Sequence, residues 1–247
     1  MPCVFGAIHR EKFMDHSAPS KVALIVDALR QDPLRSLVRM RRSEGVHDAL
    51  LQRFQQNLPQ ASLDGAVLLS DRDQLLRRMP KGGVVCEIGV AEGAFSRQIL
   101  EVCAPDRLHL VDPWDDTTNP AYSESSHARL EKTLGDEIAL GRVQMHRGYS
   151  TEVLPTLEAD SVDWVYIDGA HDYVSVARDL ELCTRVVKPG GIIAGHDYVR
   201  WVSPTARYGV VEAVNEFVHA TGATFLYLTN QYDKHDSFAL RLPVPGD

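Results

Sequence analysis

The chain has 247 residues, of which 44% are hydrophobic and 24% are charged, a balance that is typical of a globular protein. The length suits one large α/β domain with an extension. The net charge of −8 speaks against a protein that binds nucleic acid non-specifically, since such proteins need a basic face.

Neither an export signal nor a membrane span is apparent in the sequence. The N-terminal residues MPCVFGAIHREK contain too short an apolar stretch for a signal peptide. No apolar run approaches the roughly 18 residues that cross a bilayer. The four cysteines form no C-x-x-C pair, so neither a disulfide framework nor a zinc knuckle is predicted. We expect a cytoplasmic protein with no membrane partner and no nucleic-acid partner.

The N-terminal part of the chain differs from the rest in its pattern. Residues 21–31 have the apolar spacing of a helix, and residues 44–56 are a second candidate helix. We therefore predict an N-terminal helical extension over residues 1–69 and a main domain over residues 70–247.

The main domain opens with a predicted helix over residues 71–79, for which Ser70 and Asp73 have capping-box spacing and which Pro80 ends. Strands and helices then alternate. Seven strands are predicted, at 84–88, 107–111, 143–146, 162–167, 191–194, 224–228 and 238–242. The helices are predicted at 95–103, 129–139, 152–157, 174–187 and 210–219. This alternation predicts an α/β fold with a Rossmann-like, doubly wound, mostly parallel sheet and an antiparallel C-terminal strand. In such sheets ligands bind beyond the carboxyl ends of the strands.

The first of these strands ends in a glycine-rich turn, EIGVAEG at residues 87–93, and a helix follows. Glycines permit a tight turn and the close approach of a ligand, and the helix N-terminus offers free N–H groups. Ala91 and Ala94 occupy the third and sixth positions of the dinucleotide fingerprint G-x-G-x-x-G, so an NAD(P)-dependent oxidoreductase is disfavoured. The turn, with Glu87, Gly89 and Gly93, instead resembles motif I of class I methyltransferases, which bind S-adenosylmethionine. A purely structural turn is the alternative.

Residues after the next two strands could complete a cofactor site. Asp112 follows the second strand, and a carboxylate there can accept hydrogen bonds from both ribose hydroxyls. Trp114 could wall the adenine, and Ser150 lies where methyltransferases often contact the adenine edge. The alternatives are a surface turn for Asp112 and core packing for Trp114.

Acidic residues and histidines follow the fourth and fifth strands. The fourth strand runs into DGAH, with Asp168 and His171, and the fifth into GHDY, with His196 and Asp197. In a sheet with strand order 3-2-1-4-5 these strands are neighbours about 4.8 Å apart. Their carboxylates could therefore converge on one cation. A turn at Asp168 and a helix cap at His171 are the alternatives.

Taken together, the segments from VVCEIGVAEGAF to KPGGIIAGHDY resemble the macrocin O-methyltransferase group, over roughly residues 70–240. Relatives in that class I family methylate sugars of antibiotics, other glycans or phenolic natural products, commonly with a divalent metal, usually Mg²⁺. The resemblance implies an S-adenosylmethionine-dependent O-methyltransferase that acts on a hydroxylated small molecule. It implies that Asp168, His196 and Asp197 bind the metal and that His171 is the general base. It further implies a homo-oligomer, a dimer or larger, with residues 1–69 at an interface or over the active site.

His196 departs from the family, which often has Asp or Glu at this position. Mg²⁺ prefers hard oxygen ligands, whereas two carboxylates and an imidazole could favour Mn²⁺, Fe²⁺ or Zn²⁺. A site without metal is also open. For the function, the alternatives are a catechol-like phenol O-methyltransferase, an oxidoreductase and a binding protein without turnover. A nucleic-acid methyltransferase is disfavoured because DGAH replaces the usual N/D-P-P-Y/F motif.

Overall fold

The structure is a computed structural model that describes residues 57–115, 122–200, 208–232, 235–244 and 246. All described residues belong to one compact unit of the chain. The helices predicted at residues 21–31 and 44–56 lie outside the described residues, and the division of the chain after residue 69 stays a prediction.

An eight-stranded sheet forms the centre of the described part. The strands are β1 (Val67–Leu69), β2 (Val84–Ile88), β3 (Arg107–Asp112), β4 (Val143–Arg147), β5 (Val162–Ile167), β6 (Val187–Gly195), β7 (Thr224–Thr229) and β8 (Phe238–Arg241). Their order is β1-β7-β8-β6-β5-β2-β3-β4, which contains the predicted 3-2-1-4-5 order as β4-β3-β2-β5-β6. Only β8 runs antiparallel to its neighbours in this sheet. The predicted α/β fold with a mostly parallel sheet and one antiparallel C-terminal strand is confirmed.

The sheet has one strand more than the seven predicted. Val67–Leu69 pairs in parallel with β7 at the edge of the sheet, although the sequence analysis assigned these residues to the helical extension. Three residues are too few for an apolar periodicity to reveal a strand. Only Leu69 of the three is buried, so pairing with β7 decides the conformation of this segment.

The first helix precedes β1, and the other helices lie between the strands in sequence. They are α1 (Gln60–Leu63), α2 (Arg72–Arg78), α3 (Ala94–Cys103), α4 (Glu124–Thr133), α5 (Gly135–Ala139), α6 (Ser150–Val153), α7 (Tyr173–Val186) and α8 (Val210–Thr221). The single helix predicted at 129–139 is two helices, α4 and α5, which meet at Leu134. The predicted Ser70 cap is also wrong, because the side chain of Asp71 accepts the hydrogen bond from Gln74 N, at 2.7 Å. None of the described helices is both long and apolar enough to cross a membrane.

Two hydrophobic layers cover the two faces of the sheet. Because alternate residues of a strand face opposite sides, Val165 packs in one layer with apolar residues of α7 and α8 such as Leu180. Its neighbour Trp164 packs in the other layer with residues of α2 and α3 such as Ile99. Burial on both faces explains the almost continuous apolar sequence of β5. The polar residues that the sequence analysis singled out follow the apolar strands, at or beyond the carboxyl ends of β2, β3, β5 and β6.

Candidate active site

The glycine-rich turn after β2 packs tightly against its surroundings. Gly89 has φ +86°, and a Cβ there would overlap the carbonyl of Asp168 at the end of β5. Gly93, the N-cap of α3, has φ +71°, and a Cβ there would overlap the side chain of Leu130 in α4. Residues other than glycine rarely adopt these positive φ angles. Contact with the backbone of Asp168 therefore requires glycine at position 89, whereas at position 93 the left-handed backbone favours glycine and the Leu130 side chain would have to move.

Asp112, at the end of β3, holds the turn in place. Its Oδ2 accepts hydrogen bonds from Val90 N (2.9 Å) and Ala91 N (3.0 Å), and its Oδ1 accepts one from Trp114 N (2.8 Å). An ionised carboxylate has about four acceptor positions. Asp112 therefore keeps capacity for one further donor, such as a ribose hydroxyl, and it lines a cavity.

Trp114 does not take the place that the sequence analysis gave it. Its side chain is completely buried, its Nε1 donates to the Ala91 carbonyl at 2.9 Å, and its ring packs edge-on against His127. It lines neither of the two cavities described below. In the structure Trp114 is therefore a core residue, which was the alternative to a place in the cofactor site. A buried indole needs an acceptor for its N–H, and the Ala91 carbonyl in the turn is that acceptor.

A cavity of about 550 Å³ opens beyond the carboxyl ends of the strands. The predicted site residues that line it are Gly89, Asp112, Ser150, Asp168 and His171. In its wall the Ser150 hydroxyl donates to the buried carboxylate of Asp179, in α7, and burial raises the pKa of Asp179 to about 6. The volume lies within the range of small-molecule and cofactor sites, roughly 300–1,000 Å³.

A second cavity, of about 420 Å³, adjoins the first. Its walls include Glu87, His196, Asp197 and the rings of Phe95 and Tyr208. Four residues line both cavities, namely Gly89, Tyr122, Asp168 and His171. The two cavities therefore share a boundary that includes Asp168 and His171.

Glu87 lies beneath the turn and is almost completely buried. The hydroxyl of Ser96, in α3, donates a hydrogen bond to its carboxyl group. Burial raises the pKa of Glu87 to about 8, although the Ser96 hydrogen bond opposes the shift. Glu87 thus places a carboxyl group that retains its proton near neutral pH in the wall of the second cavity.

Asp168, His196 and Asp197 form a cluster with the composition of a metal site. One potential ligand atom from each lies within 4.8 Å of the other two. His196 Nδ1 is 3.5 Å from Asp168 Oδ1 and 3.4 Å from Asp197 Oδ1, which is longer than a charge-assisted hydrogen bond. His196 Nε2 is buried and has no hydrogen-bond partner in the described part of the chain. The structure thus brings together the three residues that were predicted to bind a metal.

His171 is tied to this cluster through Asp197. Its Nδ1 lies 2.9 Å from Asp197 Oδ2, and its ring stacks on Tyr208 with 4.8 Å between ring centres. Burial by itself would lower the pKa of His171, but the hydrogen bond to Asp197 outweighs it and the pKa lies above its ordinary value. Burial would raise the pKa of Asp197, but His171 and His196 hold it far below its usual range. The pair is therefore a buried carboxylate that orients an imidazole.

The sequence analysis missed three residues of the site. Arg72 NH1 lies 3.2 Å from Asp168 Oδ2, the Nδ1 of His235 contacts Asp197 Oδ1, and the Tyr208 ring packs on both His171 and His235. Arg72 begins a helix before β2, His235 precedes β8, and Tyr208 precedes α8. No motif or spacing connects them with the strand ends, so only the tertiary structure reveals them.

The chain was compared with known protein families, curated sequences and solved structures. Residues 86–198 match a family described as a methyltransferase domain, and no curated protein sequence matches the chain significantly. The pyocyanin biosynthetic protein PhzM is similar in structure, with 15% identity, a TM-score of 0.52, and coverage of 69% of this chain and 53% of that one. A SAM-dependent methyltransferase from Aquifex aeolicus gives 13% identity, a TM-score of 0.51, and coverage of 70% and 90%. Fibrillarin from Aeropyrum pernix, with natively bound S-adenosyl-L-methionine, has 14% identity and a TM-score of 0.50. The match covers 68% of this chain and 72% of that one.

At these identities the structural likeness establishes the fold alone. The matched segment contains the turn at Gly89, the acidic residue Asp112 and the cluster from Asp168 to Asp197. Kinship with the macrocin O-methyltransferase group stays a prediction. Residues 86–198, which are somewhat less than half of the chain, are similar to a methyltransferase domain.

Proposed function

We propose that the protein is an O-methyltransferase that transfers the methyl group of S-adenosylmethionine to a hydroxyl of a small molecule, a sugar or a glycosylated natural product. His171 is the general base, and Asp168, His196 and Asp197 are the ligands of a divalent metal. The observation that carries this proposal is the position of His171. It lines both cavities and its Nδ1 contacts the buried carboxylate of Asp197.

The first cavity is the place for the cofactor. Asp112 can accept a hydrogen bond from the ribose, and the Ser150–Asp179 pair provides polar groups for the adenine end. The turn at Gly89 leads to the boundary between the cavities. A cofactor with its adenosine at Ser150 and its methionine part at Gly89 presents the sulfonium methyl group to the second cavity.

The acceptor hydroxyl must lose its proton as its oxygen attacks the methyl carbon. An imidazole whose Nδ1–H donates to Asp197 keeps the lone pair of Nε2 for that proton, and the carboxylate then stabilises the imidazolium that forms. The raised pKa of His171 makes it a stronger base than an isolated histidine. An aliphatic hydroxyl, which is a weak acid, gains most from such a base.

The donor atoms of the cluster fit a divalent cation. Asp168 and Asp197 would each supply a carboxylate oxygen, and His196 would supply Nδ1. Because one donor is an imidazole, this set favours Mn²⁺ or another transition metal over Mg²⁺. When bound, such a cation lowers the pKa of a hydroxyl that contacts it.

The second cavity supports a small, ring-shaped acceptor. Phe95 and Tyr208 contribute apolar atoms to its wall, while Glu92 and the histidines offer polar partners. A ring with both C–H faces and hydroxyl groups, such as a sugar, can use both kinds of wall. The net charge of −8 favours such a molecule over a nucleic acid.

Calorimetric titration of S-adenosylhomocysteine into metal-stripped protein, followed by Mn²⁺ or Mg²⁺, tests the proposal. We expect one-to-one binding of S-adenosylhomocysteine, and a further heat with Mn²⁺ that Asp168→Asn and Asp197→Asn remove. His171→Ala should keep the S-adenosylhomocysteine affinity and lose methyl transfer to a panel of sugars and glycosides. The exposed His219→Ala is the matched control, with activity like the wild type. Well-folded protein that does not bind S-adenosylhomocysteine would refute the proposal. Transfer to catechols alone would replace the sugar acceptor by a phenol.

A further inference from the structure

Arg72 reaches the Asp168–His196–Asp197 cluster from an element that carries no motif. It is the first residue of α2, and its backbone N–H donates to the side chain of Gln231 after β7. The preceding residue, Asp71, caps the helix through its hydrogen bond from Gln74 N. The start of α2 is therefore fixed by two side chains, one of them from a distant part of the chain.

The side chain of Arg72 is also held on more than one side. Its guanidinium carbon lies 4.4 Å from the centre of the Phe95 ring, and its NH1 lies 3.2 Å from Asp168 Oδ2. The hydroxyl of Tyr166 lies beside it, and only 22% of the side chain is exposed. A planar guanidinium that stacks on a ring and contacts a carboxylate has a defined orientation. The ion pair between Arg72 and Asp168 is therefore held in one geometry, whereas an exposed ion pair is mobile.

As a result, the two oxygens of Asp168 have different partners. Oδ2 faces Arg72, whereas Oδ1 faces His196 Nδ1 at 3.5 Å. Asp168 thus directs one oxygen to the cluster. Ca²⁺ takes six to eight oxygen ligands and often binds both oxygens of a carboxylate, while smaller cations are satisfied with one.

We propose that Arg72 is a positioning residue that keeps Asp168 a one-oxygen ligand, so that the site selects small cations such as Mn²⁺ over Ca²⁺. This inference rests on the proposed function, in which the cluster binds a divalent metal. Removal of the guanidinium leaves Oδ2 without this partner and allows Asp168 to bind a cation with both oxygens. The relative affinity for Ca²⁺ must then increase, because Ca²⁺ gains the extra ligand and Mn²⁺ gains little from it.

The test is a pair of calorimetric titrations, one with Mn²⁺ and one with Ca²⁺, on the metal-stripped full chain. In Arg72→Met, whose side chain can still pack on Phe95, the ratio of the Ca²⁺ affinity to the Mn²⁺ affinity should rise at least tenfold. Arg72→Lys, which keeps the charge but lacks the planar fork, should shift the ratio in the same direction by less. Arg78→Met, at an exposed position of the same helix, is the control and should match the wild type. S-adenosylhomocysteine binding by each variant reports whether it is folded.

Two results would overturn the role of Arg72 while leaving the metal site intact: a wild-type ratio in both Arg72 variants, or an equal change for both metals. Failure of the wild type to bind either metal, in a sample that binds S-adenosylhomocysteine, would overturn this inference together with the metal part of the proposed function. The methyltransferase domain would not be affected by that result.

Discussion

The Nδ1 of His171 lies 2.9 Å from Oδ2 of Asp197, a carboxylate that is only 6% exposed. The two residues follow neighbouring parallel strands, β5 and β6, so the sheet itself brings them together. The backbone adds a second constraint, since the carbonyl of His171 accepts a hydrogen bond from Gly209 N at 2.8 Å. The imidazole is thus oriented by a strand end on one side and by the start of α8 on the other.

This arrangement predicts a particular pH profile for methyl transfer. The base must be neutral to accept a proton, and the pKa of His171 lies above its ordinary value because of Asp197. Activity should therefore rise with pH, and level off only above the pKa of an ordinary histidine. His171→Ala should lower kcat/KM by about 10²–10⁴-fold, the usual contribution of a general base, and should remove this limb of the profile. Rates with labelled S-adenosylmethionine between pH 6 and 9 would show both effects. An unchanged limb in the variant would mean that another group is the base.

Metal binding should also depend on pH, through His196. Burial would lower the pKa of His196, but the neighbouring carboxylates of Asp168 and Asp197 raise it to about 9. A ligand imidazole must be neutral, so binding releases its proton. Below pH 9 the Mn²⁺ affinity should thus increase by up to about tenfold for each pH unit. His196→Asp supplies a carboxylate without this proton, so it should flatten the dependence between pH 7 and 9 and improve Mg²⁺ binding. Equal slopes in the two proteins would argue against His196 as a ligand.

Glu87 should make the stability of the protein fall as the pH rises. Its pKa is about 8 in the folded protein, whereas a glutamate without these surroundings, as in the unfolded chain, has a pKa of 4.5. Between these values the folded state holds a proton that the unfolded state has released, so the free energy of unfolding decreases with pH. The total is on the order of a few kcal/mol. In Glu87→Gln this decrease should be absent, and the variant should gain stability relative to the wild type from pH 5 to pH 8. Urea unfolding at several pH values measures it, with the exposed Glu101→Gln as control.

Substitution of Gly89 should separate packing from backbone strain. Gly89→Ala places a methyl group against the carbonyl of Asp168, whereas Gly222→Ala has a similar φ, +75°, and open space around it. The left-handed backbone alone costs roughly 1–2 kcal/mol. Gly222→Ala should lose about that much and keep cofactor binding. Gly89→Ala should lose more stability and should also lose S-adenosylhomocysteine binding. Equal losses would show that the contact with Asp168 can relax.

Trp114 provides a test of its structural role. Trp114→Ala should destabilise the protein by about 3–5 kcal/mol, as expected for a large buried side chain. Trp114→Phe removes the hydrogen bond to the Ala91 carbonyl, which is worth about 1 kcal/mol, together with part of the buried ring, so its loss should lie between that value and the loss in Trp114→Ala. Because Trp114 lines neither cavity, Trp114→Phe should bind S-adenosylhomocysteine within a few-fold of the wild type. A loss of S-adenosylhomocysteine affinity of more than tenfold would instead indicate that Trp114 contacts the cofactor.

Much of the fold could be predicted from local pattern. Alternating strands and helices leave a doubly wound sheet as the simplest arrangement, and this sheet places the ends of β5 and β6 side by side. The meeting of Asp168 with Asp197 follows directly from it. The edge strand Val67–Leu69 could not be predicted, because a three-residue strand has no periodicity and depends on its partner β7.

The sequence by itself determined which strand ends carry glycines, carboxylates and imidazoles, because each of these residues lies within a few positions of the strand that presents it. Only the tertiary structure decided which side chains turn toward the cavities. Trp114 has the right position for a cofactor wall, yet the nearest partner for its N–H is the Ala91 carbonyl, so the ring is buried. Arg72 and His235 reach the two carboxylates from elements that are distant in sequence. Long-range packing gives such residues their neighbours, and it leaves no regular spacing along the chain.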